Sequence, residues 1–282
     1  MTELTRAIAG SVAAWVAEDV GRGDRTSESI IDPGARGRAW IEVREPAVVA
    51  GIGVARACFE AVGALDAWTE EVSEGDTVTV ATVLVRLEAP LRTVLSAERT
   101  ALNLLARLSG VATLTSRYAA AIAGTPARLV DTRKTTPGLR VLEKYAVRVG
   151  GGHNHRFGLD DGVLIKDNHI AAVGGITEAV RRARADTPHG LSVEVEVTDG
   201  DGLDEALAAG ADAVLLDNMA VDEVKEAVAR AGGKVLLEAS GGITLDNVRA
   251  FAETGVDLIS VGALTHSARS LDVSLEVESH GA

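Results

Sequence analysis

The sequence predicts an α/β protein: a sandwich-like α+β domain over residues 1–110, then a run of parallel β/α units over residues 111–269 that form a barrel. Three observations carry this. Short apolar stretches separated by turn residues fill much of the first 110 residues. From Pro126 onward, strand-like and helix-like segments alternate, with strand starts about every 20 to 35 residues, the size of a βα unit. The composition is 46% hydrophobic with only 3% aromatic residues, which suits a core of small aliphatic side chains.

Residues 4–18 have helical periodicity, with Leu4, Ile8, Val12, Trp15 and Val16 on one side. Gly21, Gly23 and Asp24 end that pattern. Ala39–Val43 and Ala47–Ala50 read as short strands, and 51–63 as a helix. Ala67–Val72 and Val78–Leu87 read as strands joined by the turn Glu74-Gly75-Asp76. Two helices are expected next, near Leu91–Leu108 and Ala112–Ala123. Six strands then follow, at Leu129–Val130, Val163–Ile165, Val193–Glu196, Val214–Leu216, Val235–Ala239 and Leu258–Val261. A complete eight-stranded barrel takes about 250 residues. Either this barrel is incomplete or one strand is hidden. Alternation of Leu271, Val273, Leu275 and Val277 in the 270–282 tail suggests a strand returning to the first domain.

The formal charge of −13 argues against a broad nucleic-acid surface. The basic residues are unevenly placed, however. Arg133, Lys134, Arg140, Lys144, Arg148, Arg156 and Lys166 fall close together, as do His153, His155 and His169. Such a cluster on an acidic chain points to a small, strongly anionic ligand. Cys58 is the only cysteine, so an intrachain disulfide is impossible and a cysteine metal site is not expected. Residues 1–24 lack a signal-peptide pattern and no stretch has the length of an uncharged membrane span, so a soluble cytoplasmic protein is expected.

In a β/α barrel the strand C-termini surround the mouth where chemistry collects. Arg133 and Lys134 follow one strand end and Lys166 another, giving point charges for an anion or, at Lys166, an amine for a Schiff base. Gly150-Gly151-Gly152-His153-Asn154-His155-Arg156 joins a backbone able to approach a ligand closely to a guanidinium fork. The His-x-His pair within it is a weak metal signal without a third ligand at an obvious spacing. Glu194 and Glu196 share one face of a strand, with Glu196 nearer the mouth. Asp217 ends the next strand, so Glu196 and Asp217 are candidates for sugar hydroxyls or Mg²⁺. Ser240-Gly241-Gly242, before a helix expected near Thr244, and Gly262-Ala263 resemble phosphate-binding turns. On spacing alone, Arg99 is an ordinary exposed helix residue.

Seven ordered motifs resemble the quinolinate phosphoribosyltransferase family. They are Glu18-Asp19-x-Gly21-x-Gly23-Asp24-x-Thr26, Asp131-Thr132-Arg133-Lys134-Thr135-Thr136-Pro137, Gly152-His153-x-His155-Arg156, Ile165-Lys166-Asp167-Asn168-His169, Val195-Glu196-Val197, Leu216-Asp217-Asn218 and Ser240-Gly241-Gly242. The resemblance spans residues 18–267. It implies an incomplete barrel of about seven strands and a homodimer in which one subunit's N-terminal domain closes the partner's barrel. It also implies transfer of phosphoribosyl from 5-phosphoribosyl 1-diphosphate to quinolinate with Mg²⁺, releasing diphosphate and CO₂ and forming nicotinate mononucleotide for NAD synthesis.

The implied site has Arg99 reaching across the interface to join Arg133, His155, Arg156 and Lys166 around quinolinate, and Lys134 on the diphosphate. Glu196 and Asp217 serve the ribose or Mg²⁺. Ser240, Gly241, Gly242, Gly262 and Ala263 serve the 5-phosphate, and Thr132 and Val261 complete the substrate contacts. Lys134, Lys166, Glu196 and Asp217 form the implied catalytic set. A site built for two carboxylates is expected to reject nicotinate, which leaves cations unpaired.

Three other readings compete. A relative of molybdenum-operon type would use the same fold on another anionic ring. A Schiff-base aldolase would be trapped at Lys166 by borohydride. A non-catalytic phosphosugar-binding protein would have no use for carboxylates beside the phosphate turns.

Overall fold

Alternation in Arg36–Val43 (β1) buries Ala39, Ile41 and Val43 on one face of the first sheet in the computed structural model, which describes residues 3–279. Ala47–Val48 (β2), Ala67–Glu70 (β3), Thr77–Val78 (β4) and Thr82–Pro90 (β5) follow. The expected strand over 78–87 is two strands: β4 pairs with β2, while β5 pairs with β1 and β3. The chain turns between them at Ala81, whose φ is +62°. The 51–63 helix is Ile52–Val62, and its Phe59 ring lies 5.7 Å from that of Trp68.

The expected break near residue 110 is absent. Leu91–Ala121 is one 31-residue helix. Gly110 sits within it because a Cβ there would collide with the backbone carbonyl of Arg269. Its lack of a side chain serves a close approach rather than a turn.

The second unit comprises residues 115–140 and 151–267. Its sheet contains Arg128–Val130 (β6), Val163–Ile165 (β7), Val193–Val197 (β8), Ala213–Asp217 (β9), Leu236–Ser240 (β10) and Leu258–Ser260 (β11). All neighbours are parallel, in the order β6-β11-β10-β9-β8-β7. Helices follow most strands, giving the βα repeat of a barrel. The implied seventh strand is reduced to one parallel bridge between Val130 and His153. The Gly150-Gly151-Gly152 stretch leading to it offers no side chains to pack as a strand.

Among the described residues, the first unit comprises 3–114, 141–150 and 268–279. The helix Arg140–Val149 thus groups mainly with it rather than with the 111–269 stretch assigned to the barrel from sequence. Val273–Ser279 (β12) is an edge strand of the first sheet, antiparallel to β1, in the order β12-β1-β5-β3. Among the described residues, no helix is long and apolar enough to cross a membrane.

Candidate active site

Side chains along the barrel strands alternate between the helices and the axis. On β8, Val193, Val195 and Val197 are buried, while Glu194 and Glu196 line cavities along the axis. On β10, Glu238 and Ser240 line the axis with Leu236 below them. Register places Ser240 beside Asp217 and Leu215 beside both Glu238 and Glu196.

At the strand C-termini these side chains enclose a mouth cavity of about 300 Å³. It brings together nine residues expected from sequence. Thr132, Arg133 and Lys134 come from the loop after β6, and His155 and Arg156 from the glycine-rich segment. Lys166 follows β7, Glu196 is on β8, Asp217 ends β9 and Ser240 ends β10. Gly241, Gly242, Val261, Gly262 and Ala263 follow the strands beside it, outside the cavity lining. Arg99 belongs to the first unit and pairs there with Glu98 at 3.6 Å.

The loops are held by buried polar contacts. Fully buried Asp131 accepts hydrogen bonds from the Asn154 side chain at 2.6 Å and the His155 amide at 2.9 Å. The Lys166 ammonium pairs with the Glu196 carboxylate rather than with Asp167. The Asn218 side chain donates to Asp217 at 2.7 Å, and its φ of +56° is rare for a residue with a side chain. Asn218 also packs against Gly241, whose φ is +88°, so a Cβ at 241 would both strain the backbone and meet that side chain.

The helix expected at Thr244 begins at Val248. Asn247 spans the intervening turn, accepting from the Thr244 amide at 2.8 Å and donating to the Gly242 carbonyl at 3.0 Å. Gly262 sits under Lys134 and the His266 ring, each about 3 Å from where its Cβ would be. His266 was not singled out from sequence, because a histidine in a four-residue helix carries no pattern.

The positive charges crowd one another. Burial, and then Arg133 alongside, lower the proton affinity of Arg156, while Glu194 and Asp161 act against this. Arg156 also donates to the Gly162 carbonyl at 2.8 Å.

Deeper along the axis, His155 Nε2 lies 3.2 Å from Glu194 and 3.4 Å from Glu238. Burial works against a charged ring, but the two carboxylates outweigh it and push the His155 pKa up to about 10. The Arg156 amide, 2.7 Å from Nδ1, pulls the other way by requiring a lone pair there. In the neutral and the charged ring alike, the nitrogen facing the two carboxylates, Nε2, carries a proton. Burial raises the pKa of Glu194; His155 then lowers it and Glu238 raises it further.

These three residues offer ligand atoms within 4.8 Å of one another, a set that could hold a divalent ion. His153, the other half of the sequence-level His-x-His pair, is not among them. Glu238 was missed because it lies inside an apolar run that reads as ordinary strand core.

The chain was compared with known proteins. The family description "Quinolinate phosphoribosyl transferase, N-terminal domain" matches residues 24–109, and "Quinolinate phosphoribosyl transferase, C-terminal domain" matches 111–276. A probable nicotinate-nucleotide pyrophosphorylase [carboxylating] of Bacillus subtilis (strain 168) is 45% identical over 263 residues, covering 92% of this chain and 90% of that protein. The Mycobacterium leprae nicotinate-nucleotide pyrophosphorylase [carboxylating] is also 45% identical, over 90% of this chain and 91% of its own. The crystal structure of NadC from Streptococcus pyogenes superposes with a TM-score of 0.93 at 38% identity, covering 100% of this chain and 99% of that one. With both domains matched and these relatives aligned over nearly their whole length, the chain belongs to the quinolinate phosphoribosyltransferase family.

Proposed function

We propose that the mouth cavity of the barrel is where quinolinate and 5-phosphoribosyl 1-diphosphate meet. The chain is an enzyme of the carboxylating nicotinate-nucleotide pyrophosphorylase type. It converts these substrates to nicotinate mononucleotide, diphosphate and CO₂, a step of NAD biosynthesis. The observation that carries the assignment of roles is the convergence of Arg133, Arg156 and Lys166 with Glu196 and Asp217 on one cavity.

The cations suit the two adjacent carboxylates of quinolinate, and Arg133 and Arg156 supply bidentate forks. His155 lines the same wall. Lys134, seated over Gly262, serves the diphosphate. Ser240, Gly241, Gly242, Gly262 and Ala263 take the 5-phosphate through backbone N–H groups, with Thr132 and Val261 beside them. As the bond from the anomeric carbon to diphosphate breaks, positive charge develops on the ribose. Glu196 and Asp217 hold its hydroxyls and stabilise that charge. The pyridine nitrogen donates its lone pair to the anomeric carbon, forming the new C–N bond. The resulting pyridinium draws in the electrons of the bond to the 2-carboxylate, CO₂ departs, and a proton takes its place.

Mg²⁺ fits the mouth, where Glu196 and Asp217 offer only oxygen and the diphosphate brings more, as a hard cation requires. It supplies charge neutralisation for the leaving diphosphate. The deeper His155 set, with its nitrogen, is a poorer match to that ion.

The functional unit is a homodimer in which Arg99 of the partner subunit completes the quinolinate pocket. The resemblance to the family supports this reading.

Incubation with quinolinate, 5-phosphoribosyl 1-diphosphate and Mg²⁺ should yield nicotinate mononucleotide and CO₂ in equal amounts. Neither product from folded protein would reassign the cavity to another anionic ring.

A further inference from the structure

Beneath the mouth, the barrel axis carries two buried carboxylates to which the roles above give no task. Glu238 is 1% exposed and Glu194 8% exposed. Glu194 Oε1 and both carboxylate oxygens of Glu238 have no hydrogen-bond partner among the described residues. Burying two carboxylates side by side is costly, and packed aliphatic residues would fill a barrel interior more cheaply. What the two share is His155 Nε2, at 3.2 and 3.4 Å.

A metal ion and a proton compete for the space between them. A metal on Nε2 would force the ring proton onto Nδ1, 2.7 Å from the Arg156 amide N–H, so two donors would face each other. A proton on Nε2 satisfies both ends of the ring. The cluster is therefore suited to gripping a histidine rather than a metal.

His155 is then clamped at both nitrogens, and the clamp reaches Arg156 through its own amide. Arg156 lines the mouth cavity on the wall that it shares with Arg133, and Glu194 offsets the repulsion between these two cations.

We propose that Glu194 and Glu238 are positioning residues for the dicarboxylate substrate. Glu194 at 3.2 Å and the charge of Glu238 at 3.4 Å together hold the Nε2–H side of His155, which fixes the His155–Arg156 backbone and aims the Arg156 guanidinium. Their charge is the standing counter-ion that lets Arg133 and Arg156 converge before the substrate arrives. This inference rests on the quinolinate pocket assigned above.

The isosteric variants Glu194→Gln and Glu238→Gln test it, each sitting on a different strand so that either is informative. Each should raise the KM for quinolinate about tenfold, the effect of weakening one charge-assisted hydrogen bond. The KM for 5-phosphoribosyl 1-diphosphate should stay within about twofold and the thermal midpoint within a few degrees. Glu238→Asp, which keeps the charge, should recover part of the loss.

Unchanged quinolinate KM in both Gln variants would overturn the inference. So would a parallel rise in both KM values with a falling midpoint, which marks a merely structural role. A divalent ion retained stoichiometrically by chelator-dialysed wild-type protein and lost in Glu238→Gln would replace the clamp with a metal site. Arg133→Ala and Arg156→Ala separate the two levels of the argument. If they too leave quinolinate KM unchanged, the pocket assignment fails; if they raise it and the glutamate variants do not, only the clamp fails.

Discussion

The Lys166 ammonium is ion-paired with the Glu196 carboxylate across the neighbouring strands β7 and β8. The proposed roles give these two residues to different substrates, the lysine to quinolinate and the glutamate to the ribose. Paired in this way, each occupies the other. On those proposed roles, binding of the dicarboxylate draws Lys166 away and releases Glu196 for the sugar. Glu196→Gln removes that competitor. It should lower turnover about a hundredfold or more, as loss of a group stabilising the transition state does. Yet quinolinate, titrated calorimetrically, should bind as tightly as to wild type or about two- to fivefold more tightly, the modest worth of a part-exposed ion pair.

Gly241 faces two constraints at once, its φ of +88° and the Asn218 side chain against it. Gly241→Ala should cost about 1–3 kcal/mol of local strain, displacing the turn assigned to the 5-phosphate. The KM for 5-phosphoribosyl 1-diphosphate should rise about tenfold or more, while quinolinate affinity measured without the second substrate is retained.

Mixing two inactive variants tests the shared site. Arg99→Ala and Lys166→Ala homodimers should each have little activity while remaining folded by circular dichroism. Reassembled together, they should regain activity, because one of the two mouths in each heterodimer then has both intact residues. Full activity of the Arg99→Ala homodimer would sink the cross-subunit assignment.

The same substitution should act with opposite sign at two glycines of the first unit. Gly10 lies in the helix Ala9–Val20 with nothing near its would-be Cβ. Gly10→Ala should raise unfolding free energy by about 0.4–1 kcal/mol. Gly110→Ala meets the Arg269 backbone and should lower it by about 1–3 kcal/mol, as overpacking does. Urea melts of both variants report the difference.

The mouth was legible in the sequence because its residues sit where apolar runs stop. Lys166 and Asp217 each follow an unbroken apolar stretch, and a charge at that position can only face the mouth or solvent. Glu238 obeys no such rule. In a parallel strand buried on both sides, apolar neighbours do not reveal which residue points to the axis. The helix break expected near residue 110 is absent for a related reason, since what Gly110 accommodates is Arg269, far along the chain. The reduction of the seventh strand to a bridge at His153 was likewise invisible, because pairing is a property of two segments. Local patterns therefore announced the ends of strands, while long-range contacts set which interior glutamates and glycines matter.

The pairing of β12 with β1 has a consequence for biosynthesis. It joins residues 37–43 to residues 273–279 in antiparallel register, and the whole barrel sequence lies between them. As the ribosome extends the chain, β1 and β5 emerge early, yet β1 stays an open edge until the segment after the barrel has been made. Its unpaired amides and carbonyls then form a template for any neighbouring nascent chain. The hazard lasts through the synthesis of more than two hundred residues, on the order of ten to fifty seconds at ordinary elongation rates. Over that interval, completion of the first sheet waits on the segment that follows the barrel, and chaperone protection of β1 matters most.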